Sequence, residues 1–232
     1  MSSYYSIMLD IEDKICGVIG GGKVAERKIR SLLDAKGKVT VISPELTPSI
    51  QKWVEQKVLY FVKDVYNSKY LQELDLVFAC TNIKEINKHI AYDAKQMGKW
   101  VNAASPGDAG DMILPATLKS NHVQLSLSTY GKSPLAVHMM KKHLTHQLEK
   151  YEQMAMFLYQ IREQLKQSHL SQSEKGIINE TIKTLDILSM MEHEGFSEFQ
   201  TNVTQMVEKL VNYSLTIDEL LQYLYNVELE SY

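Results

Sequence analysis

Residues 14–25 read KICGVIGGGKVA, and this stretch decides the fold. Lys14 to Ile19 is a short apolar run of the kind that makes a strand buried on both faces, and a helix-period segment from Lys23 to Ala35 follows it, with Val24, Ile29, Leu32 and Leu33 on its apolar side. Between them, Gly20-Gly21-Gly22-Lys23-Val24-Ala25 fits Gly-x-Gly-x-x-Ala. In that spacing the first glycine permits the tight turn, the second lets a pyrophosphate approach the backbone, and a small third residue lets helix and strand pack closely. The free amides of the helix start then face the phosphates. A glycine string alone is a weak signal; its place between strand and helix is what gives it meaning.

Working outward, the same grammar repeats. Lys38 to Ile42 reads as a second strand, Leu46 to Glu55 as a helix, Val58 to Val62 as a strand, Tyr70 to Leu74 as a helical turn, and Leu76 to Cys80 as a fourth strand. A helix over Lys84 to Met97 and a short strand over Trp100 to Ala103 complete a β-α alternation that predicts a parallel sheet flanked by helices. Ser105 to Gly110 is a loop rich in Gly, Pro and Asp. Beyond it the pattern changes. Met112 to Leu118 and Val123 to Ser128 predict an antiparallel hairpin, and Ser133-Pro134 is a helix start leading into Leu135 to Tyr151. The rest reads as helices over roughly 151–167, 173–193, 196–213 and 216–227, with Thr216 ahead of two acids as a start signal. The expected organisation is an α/β nucleotide-binding domain at 1–111, a hairpin and helix at 112–150, and an all-helical part at 151–232.

Charge marks the same boundary. Residues 1–150 hold 20 Lys and Arg against 15 Asp and Glu, whereas 151–232 hold 5 against 13. A mildly basic front part suits an anionic small molecule, and the acidic tail argues against nucleic acid. Residues 1–10 carry no Lys or Arg, and no stretch is long and apolar enough for a bilayer, so a cytoplasmic protein is expected, with no membrane partner. Cys16 and Cys80 both lie in apolar runs and read as buried reduced thiols, and two cysteines do not make a cysteine-built metal site. His143 and His146 stand at i, i+3, but beside Lys141 and Lys142 they read as a solvated basic face, and no metal is expected. Met154, Met156, Phe157, Leu158 and Ile161 read as packing.

Candidate ligand groups cluster where strands end. Ser43 and Glu45 follow the second strand. Glu45 either reaches a ribose from its loop or is a solvated acid at the next helix, and no Arg follows to receive a 2′-phosphate, which favours NAD over NADP. Thr81 and Asn82 follow the fourth strand; Asn102, Ser105, Asp108 and Asp111 follow the fifth. Asp108 or Asp111 is the candidate proton acceptor, and an Asp in a Gly-rich loop equally serves as a turn former.

Five ordered blocks give the sequence a resemblance. Ile7-Met8-Leu9-Asp10, VIGGGKVAERKIR from Val18 to Arg30, VTVISPELT from Val39 to Thr47, ACTN from Ala79 to Asn82, and LSLSTYGKSPL from Leu125 to Leu135 resemble the precorrin-2 dehydrogenase family. Its members oxidise precorrin-2, an octacarboxylate, to sirohydrochlorin with NAD in sirohaem biosynthesis, and some also insert ferrous iron. The resemblance implies a Rossmann-like domain, a small dimerisation unit, a helical C-terminal part and a homodimer. It implies NAD contacts at Gly20, Gly22, Lys23, Val24, Ser43, Pro44 and Glu45, and a substrate contact at Ser133, a small polar position at the mouth of the tetrapyrrole pocket; the strand ends add Thr81 as a cofactor contact and Asn102 as a substrate contact. In iron-inserting members an Asp stands three residues after the Asn matched by Asn102; here that residue is Ser105, which leaves Asp108 as the nearest acid. The expectation is a porphyrin-pathway oxidoreductase without chelatase activity, handing its product to a separate chelatase. The alternatives are a bifunctional dehydrogenase and ferrochelatase, or a non-catalytic NAD-binding regulator. A short reductase is disfavoured because no Tyr-x-x-x-Lys pair stands near the expected helix.

Overall fold

The computed structural model describes residues 4–103, 110–192 and 196–230. Ser105, Asp108 and His193 lie outside these residues. The chain divides into two compact units, Met1–Pro115 with Tyr130–Lys132, and Ala116–Thr129 with Ser133–Tyr232. The expected boundary at 111 falls four residues before the end of the first stretch, and that at 150 falls within a helix of the second unit.

The first unit runs β1 (Ile15–Ile19), α1 (Lys23–Asp34), β2 (Lys38–Ile42), α2 (Pro48–Glu55), β3 (Tyr60–Val62), a 3-10 turn (Ser68–Leu71), β4 (Leu76–Ala79), α3 (Lys84–Gln96) and β5 (Trp100–Ala103). All five strands are parallel in the order β3-β2-β1-β4-β5. This is a doubly wound sheet whose strand order reverses between β1 and β4. The strands are almost wholly apolar because helices cover both faces. Cys16 and Val18 of β1 pack on one side with Ile29, Val39, Val41 and Phe78, and Ile19 packs on the other with Ile42, Val77, Ile90 and Val101. Gly17 faces that second side, where a Cβ would stand 2.0 Å from Leu74.

Local chemistry sets the element ends. The helix expected from Leu46 starts at Pro48, because Thr47 accepts a hydrogen bond from the Ile50 amide at 3.4 Å and proline fixes the first helical residue. β3 is shorter than the expected Val58–Val62, since Lys57 at φ 57° and Val58 still close the end of α2.

Cys16 and Cys80 are buried and free, as expected, and burial raises both thiols to about 11. The thiolate is the reactive form. At pH 8 the folded protein should therefore leave a thiol reagent almost unconsumed, and both cysteines should react once denaturant exposes them. Prompt native labelling would contradict this placement.

In the second unit β6 (Ala116–Lys119) and β7 (Gln124–Leu127) form the expected antiparallel hairpin, with Leu118 opposite Leu125. Helices α4 (Pro134–Thr145), α5 (Leu148–Gln167), α6 (Gln172–Thr184), α7 (Ile187–Met190), α8 (Phe196–Val211) and α9 (Ile217–Glu230) follow. Phe157, Ile161, Leu165, Val203, Val207, Leu210, Leu220 and Leu224 are part of the core of α5 to α9, and Met154 and Leu158 pack against it, so these two with Phe157 and Ile161 serve as packing, as expected; Met156 is not part of that cluster. Two expected helices are each broken in two. The first breaks at His146 and Gln147, and the second at Leu185 and Asp186, whose carboxylate accepts from the Ser189 amide to start α7. Thr216 and Glu219 exchange bonds as a capping box for α9. Among the described residues no helix is long and apolar enough to cross a membrane.

Candidate functional site

The site forms where the strand order reverses, outside the carboxyl ends of β1 and β4. Gly20 leaves β1 at φ +118°, a region side chains rarely enter, and a Cβ there would lie 2.5 Å from the Cys80 carbonyl oxygen. Its amide donates to the Ile42 carbonyl, and the Gly21 carbonyl accepts from the Thr47 amide, both at 2.9 Å. At Gly21 a Cβ would fall 2.0 Å from the Glu45 carbonyl. The turn is thus wedged between the exits of β2 and β4, and both glycines are required by neighbouring backbone.

Gly22 differs. Its backbone is extended at φ −85°, and a Cβ there would meet nothing within 4 Å. It is the N-cap of α1 with no side chain capping the first turn, whose amides point along the axis without intrahelical partners. Among the described residues no neighbour demands a glycine here, and the space above it is open. That is the cradle a pyrophosphate takes, held by amides and by the positive end of the helix dipole. Ala25 is fully buried against the sheet, the third element of the fingerprint.

A crevice of about 630 Å³ opens over this turn. Gly20, Gly22, Lys23, Val24, Ser43, Pro44, Glu45 and Thr81 all line it, so the structure gathers every sequence-predicted cofactor residue around one cavity. Ile19, Ile42, Val65, Ile83 and Ile86 supply apolar wall. A dinucleotide fits this donor set: phosphates on the amides, with one nucleoside on the β2 and β3 side and the other on the β4 side.

Several of these residues act through their neighbours. Ser43 is buried and donates its hydroxyl to the Glu45 carbonyl at 2.7 Å, shaping the loop that carries Glu45. Thr81 is fastened by Asn87, a buried side chain the sequence reading passed over. The Asn87 amide oxygen accepts from the Thr81 amide at 2.9 Å, and its nitrogen donates to the Thr81 carbonyl at 3.0 Å. The Thr81 hydroxyl also donates to the Asn87 oxygen at 2.8 Å.

Asp64 is the other omission. It follows β3 on the same edge and lines the crevice, accepting from the Val65 amide at 2.8 Å and from the Tyr70 hydroxyl. These bonds favour the charged form and hold its carboxyl below the usual range. The rule that ligands bind at strand carboxyl ends would have found it. Tyr66, also lining the crevice, donates to Asp93 at 2.7 Å; burial together with that bond raises the phenol well above its ordinary value.

Asn102 is not among the crevice residues. It is buried on β5, where it accepts from the Lys28 ammonium at 2.6 Å and donates to the Met112 carbonyl at 2.8 Å. The Asp111 and Met112 amides both donate to the Val101 carbonyl, so the described residues on either side of 104–109 lie together at the end of β5. Asp111 pairs with Lys95 at 3.1 Å. Ser133 lies in the second unit as the N-cap of α4, accepting from the Ala136 amide at 3.2 Å. Among the described residues no group of three or more His, Cys, Asp or Glu is placed to hold a metal.

Comparison with known proteins agrees with this geometry. A family model described as "Putative NAD(P)-binding" matches residues 7–116. Siroheme synthase 2 of Yersinia enterocolitica is 29% identical over 214 residues, covering 92% of this chain and 45% of that protein. This chain thus spans less than half the length of that relative. The precorrin-2 dehydrogenase of Priestia megaterium is 28% identical over 194 residues, covering 83% of this chain and 96% of that one. The solved structure titled SirC, precorrin-2 dehydrogenase, shares the fold, with a TM-score of 0.65 and 24% identity across 96% of this chain and all of that one. Residues 7–116 thus match that NAD(P)-binding family model, on a chain similar to proteins named siroheme synthase and precorrin-2 dehydrogenase.

Proposed function

We propose that this protein is an NAD-dependent precorrin-2 dehydrogenase that forms sirohydrochlorin and does not insert metal. The observation that carries the reading is the empty space at Gly22 beneath an uncapped helix start, in a chain that covers 96% of a protein named for this reaction. Bound NAD supplies a two-electron acceptor, so that a hydride leaves a saturated ring carbon and a proton is released. The chain contributes placement. The glycine turn and the α1 amides fix the pyrophosphate, Ser43, Pro44 and Glu45 flank one ribose, and Thr81, pinned by Asn87, borders the other half. Asp108 and Ser105 are the proposed catalytic residues, Asp108 as the proton acceptor, and Asn102 and Ser133 are the proposed substrate contacts. The excess of Lys and Arg in residues 1–150 attracts a polycarboxylate.

A homodimer belongs to the same reading. No residue of α4 is buried, although it carries Leu135, Met139 and Met140, and a lone two-stranded hairpin is marginal by itself. A cytoplasmic location is supported by the two free buried thiols.

The test is to follow the absorption spectrum of precorrin-2 with NAD, and then of sirohydrochlorin with cobalt or ferrous ion. Oxidation should proceed and metallation should stay near the uncatalysed rate, because a serine hydroxyl at 105 is a poor proton acceptor and a weak ligand for a divalent ion. Ser105→Asp should raise metallation. Efficient metallation by the unaltered protein would refute the single-function reading, and failure to oxidise precorrin-2 would refute the dehydrogenase.

A further inference from the structure

The β2 and β3 side of the crevice carries two carboxylates, Glu45 after β2 and Asp64 after β3. The lining residue with a cationic side chain is Lys23, in the glycine turn at the opposite, phosphate-binding edge. The two acids differ in how they are held. Glu45 is exposed on a loop. Asp64 is half-buried and tied at both oxygens, Oδ1 accepting from the Val65 amide and Oδ2 from the Tyr70 hydroxyl. Neither donor carries a charge; Lys69 of the 3-10 turn attracts the carboxylate through space but is not among the lining residues, and the two bonds leave Asp64 little freedom to turn away. It is a held acid on the β2 and β3 side of the crevice, the side to which the dinucleotide reading assigns the adenosine ribose.

We infer that Asp64 is a second specificity residue of this crevice, acting with Glu45 to exclude a 2′-phosphorylated dinucleotide. The inference rests on the dinucleotide reading above. A ribose 2′-hydroxyl is neutral and can donate to a carboxylate, whereas a phosphate at that position brings further negative charge and three acceptor oxygens against two acids that only accept. Rejection then comes from repulsion as much as from lost bonding, which is how a site discriminates against a ligand otherwise identical. Because the acids stand at the mouth of an open crevice, salt screens the effect.

The experiment measures NAD and NADP binding to the full chain by calorimetry, at low and high ionic strength, for the unaltered protein, Asp64→Asn, Asp64→Ser and Asp64→Glu. The unaltered protein should prefer NAD, and the preference should shrink as salt rises. Either neutral variant should tighten NADP about tenfold while changing NAD less than about threefold, and Asp64→Glu should keep the original preference. If the protein binds NAD and the preference is the same in the neutral variants, Asp64 has no such role, although the cofactor reading stands. If neither dinucleotide binds the unaltered protein, the cofactor reading itself fails and the inference falls with it.

Discussion

A Gly22→Asp variant should stay folded and lose at least about 100-fold in NAD affinity. Both halves of this result follow from the same backbone. At φ −85° any residue is unstrained, and a Cβ at Gly22 has no neighbour within 4 Å, so the fold does not oppose the substitution. An acid at a helix N-terminus even favours the helix. The same side chain fills the space beneath the free amides and sets a negative charge where the phosphates would lie. Gly20→Ala should behave oppositely. There the φ of +118° and a Cβ contact of 2.5 Å with the Cys80 carbonyl strain the protein itself, costing about 1–3 kcal/mol of stability before any ligand is considered. Calorimetry with NAD and a thermal melt on each variant separate the two cases. NAD binding by Gly22→Asp at the original affinity would remove the cofactor assignment.

The contrast between the glycines also shows what can be read from a sequence. The strands and their order of appearance are legible because parallel strands covered on both faces must be apolar throughout, as Leu76 to Ala79 is. The fingerprint names Gly20 and Gly22 but leaves the middle position open, and yet Gly21 has the tightest contact of the three, 2.0 Å from the Glu45 carbonyl. That demand comes from the loop after β2 passing over the turn, a tertiary approach with no local signal. The break at Leu185 and Asp186 is hidden for the opposite reason: Gly176, the glycine of the stretch, lies inside the first helix and not at the break, and an Asp amid a helical period looks like a surface residue until it caps the next helix. Asp64 escaped because the fingerprint looks for an acid only after β2. Asn102 followed a strand end, which is where ligand groups gather, and nothing in the sequence reveals that Lys28, 74 positions earlier, reaches its amide oxygen.

That buried contact leads to the second large expected effect. Asn102→Ala should destabilise the first unit by about 3 kcal/mol, seen as a lower denaturant midpoint with an unchanged slope. Lys28 is a partly buried residue of α1, and burial lowers the pKa of its ammonium, which has the Phe78 ring 6.0 Å away and the Asn102 oxygen at 2.6 Å as its acceptor. Removing that acceptor leaves a poorly hydrated charge without its partner, and the Met112 carbonyl loses its donor as well. Loss of both partners is cheaper than loss of one, because an apolar pair leaves no ammonium to desolvate. Lys28→Met combined with Asn102→Leu should therefore recover at least half of the stability lost in Asn102→Ala. Oxidation should not recover with it: the bond from Asn102 to Met112 holds together the two described ends flanking 104–109, the segment that carries Ser105 and Asp108. A double variant that is stable but still slow, with NAD affinity unchanged, is the result expected if Asn102 serves the reaction as well as the fold, as the proposed substrate contact or by holding these two ends. Equal losses in Asn102→Ala and in the double variant would mean that the Lys28 ammonium is hydrated and the contact incidental.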